Sequence, residues 1–498
     1  MVESGGYVPG PADRLAGTAG EGRMRVTSPD FKSNAAQAMR DGGLQKALAR
    51  TRPQFPARRA GAVAALPEFE ALREEGRRIK DHTLAHLDFY LETFADRVQL
   101  AGGRVHWCAD AAGARAAVLA ICREAGARTV TKGKSMASEE IALNEHLAAN
   151  GIEPVETDLG EYILQLRHEP PSHIIAPAFH LNREDWEESF RHAHSDLPAD
   201  RVFAERRDIM AEARSRLRAR FLAADVGITG ANFLIAETGS SVIVTNEGNG
   251  DLTQTLPRVH IVLAGIEKIV PTIEDATALL RLLARSATGQ EASVYTTFST
   301  GARRTADPDG PAEYHVVLID NGRSAMVGTP FQDMLRCIRC AACLNHCPVY
   351  ATVGGHSYGW VYPGPMGSVL TPALIGIEQA RHLPNASTFC GKCESVCPMK
   401  IPLPNMMRHW REREFERHLS PVAQRRNLAL WAWLARRPAL YRAATRAAMA
   451  ALGLFGRRRG RFRRLPLAGG WTEGRDLPAP EGETFFARYA RAQRRGAA

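Results

Sequence analysis

Residues 104–151 read RVHWCADAAGARAAVLAICREAGARTVTKGKSMASEEIALNEHLAANG. Two short apolar runs, RVHWC and ARTVTKG, alternate with two longer stretches, AAGARAAVLAICREAG and SEEIALNEHLAANG. Apolar residues in the longer stretches recur at helical spacing, so the short runs predict buried strands and the long ones the helices between them. The second helix is expected to start at Ser138, with Glu140 close behind. Such alternation predicts βα units and a parallel sheet. Further along, SHIIAPA (172–178) reads as another buried strand, and NFLIAETGSSVIVTNEG (232–248) reads as a hairpin around Thr238 and Gly239. RVHIVLAGI (258–266) and EYHVVLID (313–320) are further strands, with a helix over TIEDATALLRLLARSATG (272–289) between them. Residues 101–325 are therefore expected to form one α/β domain.

Working outward, residues 1–28 are rich in Gly, Pro and Ser and are expected to be a mobile extension. Residues 29–100 show helical spacing, with Leu84, Leu87 and Phe89 recurring between charges. Residues 326–405 carry most of the cysteines on short segments punctuated by Gly and Pro, and residues 406–498 form an Arg-rich helical C-terminal region and tail. Pro438 should kink or end a helix there, and the last 40 residues read as extended.

The chain has 498 residues, 45% hydrophobic and 24% charged, which excludes a disordered chain, a fibre or a small disulfide scaffold. Its net charge is +10, but from Arg408 onward there are 21 Arg and 7 acidic residues, so the basic character belongs to the tail. A solvated helical surface is the plain reading; an acidic partner, a membrane surface or nucleic acid are the sharper ones. The longest apolar stretches near the C-terminus, 428–435 and 447–456, run into arginines and fall well short of a membrane span. The N-terminus lacks a secretory signal pattern. A cytoplasmic location is expected, with peripheral contact at the inner membrane face as an alternative through Trp431, Trp433, Leu434 and Leu440.

Seven of the nine cysteines lie between 337 and 397. Cys337-x2-Cys340-x2-Cys343-x3-Cys347-Pro348 is the bacterial ferredoxin run, in which three thiolates wrap one cubane and the fourth reaches another. Cys390-x2-Cys393-x3-Cys397-Pro398 repeats it with Ser387 in the first position. Exchange of the fourth ligand assigns Cys337, Cys340, Cys343 and Cys397 to one cluster, and Cys347, Cys390 and Cys393 to the other. Two [4Fe-4S] clusters are expected, the second site-differentiated or [3Fe-4S]. A serinate, a water, a partner group or a substrate are all open as its fourth ligand. Structural zinc prefers separated Cys or His pairs and fits these runs poorly. Cys108 and Cys122 lie in apolar settings and read as core thiols.

TKGKSMASEEIALNEHL (131–147), GIEPVETDLGEYILQL (151–166) and GITGANFLIAETGSSVIVTNEGNGDL (227–252) together resemble the LUD, or lactate utilization, domain. YGWVYPGPMGSVLTP (358–372), STFCGKCESVCPMKIPLP (387–404) and LPLAGGWTEGRDLPAP (465–480) resemble the rest of the lactate utilization protein B family. The resemblance runs over roughly residues 70–490 and keeps the segment order. It implies an α/β domain of the NagB/RpiA/CoA-transferase-like kind joined to an α-helical ferredoxin domain. It also implies an electron-transfer role beside two partner subunits, a cysteine-rich redox protein and a small LUD protein, in oxidising L-lactate to pyruvate. Another hydroxy acid or donor is the alternative. So is an iron–sulfur sensor that binds nucleic acid, although no nucleic-acid partner is expected because the chain shows no reading module.

Catalytic residues are not fixed by these motifs. Lys132 and Lys134 follow a strand in a Gly-containing turn, where an α/β sheet places anion-binding groups, and are the candidates for a lactate carboxylate. A solvated turn is the competing reading. Asp158, Glu161 and Glu237 are candidate bases or helix caps. His106 and His260 read as core histidines on apolar strands, and Asn232 and Glu247 have similar standing to these candidates.

Overall fold

The computed structural model describes residues 26–456, 460–465, 472 and 475–496. The mobile extension expected over 1–28 lies outside the described residues up to 25. Residues 26–28 correct it: Ser28 is buried and donates to the Gln379 carbonyl at 2.7 Å. The chain divides into one unit running to Glu414 and a second beginning at Phe415.

The first unit is built on a six-stranded sheet in which every pairing is parallel. In chain order the strands of the unit are β1 (Arg104–Cys108), β2 (Thr129–Lys132), β3 (Glu153–Glu156), β4 (Val226–Thr229), β5 (Phe233–Ile235), β6 (Ser240–Thr245), β7 (Val259–Gly265), β8 (Ile269–Val270), β9 (Tyr295–Ser299) and β10 (Glu313–Ile319). The six-stranded sheet has the order β1-β10-β7-β4-β2-β3, and a smaller mixed sheet has the order β8-β5-β6-β9. All seven residues of β7 are buried. Ile261 and Leu263 point to a core with Val118, Ile121 and Cys122, whereas Val262 and Ala264 point to one with Phe94 and Val98. Burial on both faces explains why these strands read as continuous apolar runs.

Helices Phe31–Ala38, Gly42–Thr51, Gln54–Ala64, Phe69–Ala85 and Leu87–Leu100 occupy the region that showed helical spacing. Ile273–Ala287 follows a capping box closed by Thr272 and Asp275. The hairpin forms with Phe233 opposite Val242. Its Gly239 has φ +69°, and a Cβ there would lie 2.6 Å from the Val98 nitrogen, so the turn depends on glycine.

Four further expectations change. The strand expected over SHIIAPA does not form. Pro170, Pro171 and Pro177 supply no N–H for a ladder, and Ile175 and Ala176 donate to the His173 ring instead. The helix expected from Ser138 is two pieces, Met136–Glu140 and Leu143–Ala149, divided at Ala142 with φ 50°; its cap is Ser135, whose side chain accepts from the Ser138 N–H. Strand β9 was not expected, although TTFST offered β-branched alternation. The last 40 residues are not simply extended: Arg461–Phe462 pairs with Leu477–Pro478, and Phe485–Gly496 is a helix.

In the second unit, helix Val422–Ala435 ends before Pro438, which opens helix Pro438–Gly456. Trp431, Trp433 and Leu440 are exposed, while Leu434 is half-buried. Among the described residues, no helix is long and apolar enough to cross a membrane.

Candidate functional site

The two cysteine runs fold as a repeat. Arg339 and Ala341 have φ 60° and 61°, and their counterparts fifty residues on, Phe389 and Gly391, have φ 54° and 75°. Each pair of left-handed residues bends the chain around a cysteine, Cys340 or Cys390, before a short helix, Ala342–Asn345 or Lys392–Val396. Those helices carry Cys343 and Cys393, and Cys347-Pro348 and Cys397-Pro398 follow them.

The seven thiols fall into two cavities. Cys337, Cys340, Cys343 and Cys397 line one, whose other walls include Ile338, Met366, Met399 and Leu403. Cys347, Cys390 and Cys393 line the other, together with Ser387. The Ser387 hydroxyl accepts from the Phe389 N–H at 3.1 Å. Burial pushes the Cys397 thiol up to about 11 and the Cys393 thiol up to about 12, and neighbouring cysteines add to both shifts. The same causes raise Cys340 and Cys343. Exposed Cys390 shifts the other way, because the Lys392 N–H and the Thr388 side chain stabilise its thiolate.

Four thiols crowded in an apolar wall cannot all ionise unaided. A cationic iron–sulfur core supplies the missing positive charge, so the donor set fits such a group. Backbone N–H groups of Met399 and Ile401 reach Cys397, and those of Val349 and Tyr350 reach Cys347. Among the described residues no three His, Cys, Asp or Glu side chains close around a single metal ion.

Two arginines from the N-terminal helices grip the first cavity. Arg73 donates to the Cys397 carbonyl at 2.7 Å, and Arg59 donates to the Val396 carbonyl at 2.8 Å. Sequence reading missed both, since no local pattern marks a contact across more than 300 residues.

A separate cavity of about 280 Å3 opens at the carboxyl ends of β2, β4 and β7. That is where open α/β sheets bind ligands. Lys134, Asn232 and Glu247 line it, as do Lys268, Arg323 and, from the first cysteine run, Arg339. Ile174 lines both this cavity and the four-thiol one. The Cys337 thiol acts electrostatically on Arg339 and Lys268. Burial and the neighbouring Arg339 lower Lys268 to about 8.

The structure separates the lysine pair, correcting its use as one anion site. Lys132 is fully buried and paired with Glu139 at 2.9 Å and Glu156 at 2.7 Å, so it is closed to an anion. Lys134 faces the cavity, donating to the Ile175 carbonyl at 2.6 Å. Asp158 lines the cavity while capping helix Leu159–Arg167. Burial and Asp158 raise Glu247, which accepts from the Leu159 N–H at 3.2 Å. Glu161 is buried next to the Lys132 group and is raised by burial and Glu156. Glu237 lies outside the cavity lining and accepts from the Ile273 N–H. His260 is a core histidine bonded to the Thr229 hydroxyl at 2.8 Å, and His106 contacts His315 at 3.0 Å. Asn232 holds the hairpin by accepting from the Val244 N–H. Cys108 and Cys122 are both buried in the core of the main sheet.

A parallel α/β sheet followed by a helical, doubled cysteine motif defines a LUD-type domain joined to a ferredoxin-like one. Residues 91–319 match the LUD domain, 333–401 the 4Fe-4S dicluster domain, and 408–494 the C-terminal domain of lactate utilisation protein B. Relatives named Lactate utilization protein B include one from Macrococcus caseolyticus, 42% identical, and one from Lysinibacillus sphaericus, 41% identical. Each alignment covers 93% of this chain and 97% of the relative. The chain belongs to the lactate utilization protein B family. A solved DUF162 family protein from Deinococcus radiodurans aligns over 47% of this chain and 98% of its own at 17% identity, with a TM-score of 0.25. The fold rests on the strands described above.

Proposed function

We propose that this chain is the iron–sulfur electron-transfer subunit of a complex that oxidises L-lactate to pyruvate. The observation that carries the reading is the sorting of seven cysteines into a four-thiol and a three-thiol cavity. Cys337, Cys340, Cys343 and Cys397 hold one [4Fe-4S] cluster. Cys347, Cys390 and Cys393 hold the second, which is site-differentiated at Ser387 or [3Fe-4S]. Bound clusters supply one-electron transfer, and two in one chain relay the two electrons of a hydroxy-acid oxidation singly. The chain's own groups orient the thiolates, and apolar side chains wall the first set.

The names of the relatives support lactate as the fuel. The partners in this reading are a cysteine-rich redox protein and a small LUD protein. Iron and sulfide analysis of the anaerobically purified chain, with EPR of the oxidised and dithionite-reduced forms, tests the assignment. Two centres are expected across the oxidised and reduced spectra; a single centre in both, or zinc in place of iron, contradicts it.

A further inference from the structure

We propose that the cavity at the carboxyl ends of β2, β4 and β7 binds a small carboxylate monoanion. Lys268 and the unpartnered arm of Arg339 hold it, on the wall that the first cysteine run supplies. The site stands on the cavity; the choice of a 2-hydroxy acid as its ligand rests on the functional reading above.

Three observations converge. First, the cavity occupies the crest of a parallel sheet, the general ligand position of open α/β folds. It is also large enough for a small organic acid.

Second, its cationic end has charge to spare. Arg323 is fully used, donating to Glu267 at 2.7 Å and to both Glu140 oxygens at 2.9 and 2.8 Å. Arg339 donates to Glu267 at 3.1 Å and lies over the Tyr362 ring at 5.1 Å, yet its buried Nη1 has no hydrogen-bond partner. Lys268 lines the cavity, and its ammonium makes no hydrogen bond or ion pair among the described residues. At this end of the cavity Arg323, Arg339 and Lys268 exceed the carboxylates Glu140 and Glu267 by one, while the rest of the lining carries Lys134 with Asp158 and Glu247. With those two carboxylates in the lining, a monoanion is held there more readily than a phosphate dianion.

Third, the wall is shared with the cysteine region. Arg339 belongs to the first cysteine run, and Ile174 separates the cavity from the four thiols. A carboxylate held there would share a wall with the residues that would hold the first cluster. The cations could instead serve only to offset the negative charge of the thiolates, and the experiment decides between these roles.

Calorimetric titration of the full chain carrying its clusters, with L-lactate, acetate and inorganic phosphate as probes at pH 7, is the test. Saturable 1:1 binding of L-lactate is expected, with phosphate at least tenfold weaker. Lys268→Met should weaken L-lactate at least tenfold, and Lys268→Arg should restore it. Ala287→Leu, which fills the cavity without touching a charge, should weaken it similarly and guards against a misfolded lysine variant. Saturating L-lactate should also shift the EPR signal of the reduced chain. Absence of both L-lactate and acetate binding to a chain with full iron content overturns the proposal. So does unchanged affinity in both Lys268→Met and Ala287→Leu. Acetate binding without L-lactate binding would fault the lactate reading and leave the site standing, and iron content on the same samples reports separately on the cluster reading.

Discussion

Ser387 is the residue on which the second thiol set turns. It lies in the cavity with Cys347, Cys390 and Cys393, in the position that Cys337 takes in the first run. Ser387→Cys is expected to complete a four-thiolate set, raising iron content toward eight atoms per chain for two cubanes and simplifying the EPR spectrum. Unchanged iron and spectra would remove Ser387 from the ligand sphere. Gly265 is a second decisive position. A Cβ there would run into the Glu267 carboxylate and lie 2.6 Å from the Arg323 Nε, so Gly265→Ala must disturb a buried ion pair. Urea unfolding should show a loss of about 3 kcal/mol, the usual cost of breaking such a pair. The cysteine partition and the core standing of Cys108 and Cys122 were legible because spacing and apolar context are local. The fate of Lys132 was not, because its partners Glu139 and Glu156 converge only when β2, β3 and the following turn are assembled.

At the level of elements, the N-terminal helices act as a clamp on the cysteine loops. Helix Phe69–Ala85 supplies Arg73, whose guanidinium holds the Cys397 and Ser395 carbonyls. Arg73→Ala is expected to speed cluster loss to a chelator about tenfold, equivalent to about 1.4 kcal/mol, as followed by the decay of visible absorbance. Loss at the native rate would show the clamp to be dispensable. The βα alternation, the hairpin and helix Ile273–Ala287 could be read in advance, because each is encoded by periodicity plus a turn or cap. SHIIAPA looked like a strand for its apolar run alone, and the prolines and the His173 ring decided otherwise. The C-terminal helix Phe485–Gly496 was obscured by arginine-rich composition, although Phe485, Phe486 and Tyr489 lie at helical spacing.

For the whole molecule, burial of neutral histidines ties stability to pH. Burial lowers His260 to about 3, and burial also lowers His173 to about 3 against the raising effect of Asn345. The unfolded chain takes up protons at both near 6.5, which the folded chain refuses until about 3. Stability from these groups is therefore full above 6.5 and falls as pH drops toward 3. Burial alone would raise Glu267, but Arg323 and Arg339 hold it at about 2, so a further loss follows from 4.5 down to 2. The urea midpoint should fall from pH 7 to pH 5, and His260→Asn should flatten that dependence. An unchanged slope would contradict burial as the cause.

The same architecture places an α/β cavity against a thiol-lined one, which no stretch of sequence announces. The most direct test of the electron-transfer role is anaerobic mixing of the chain, purified with its co-expressed partner subunits, with L-lactate while cluster absorbance and EPR are followed. Rapid bleaching by L-lactate, but not by D-lactate or glycolate, is the expected result. Clusters that dithionite reduces and L-lactate leaves oxidised would contradict the account.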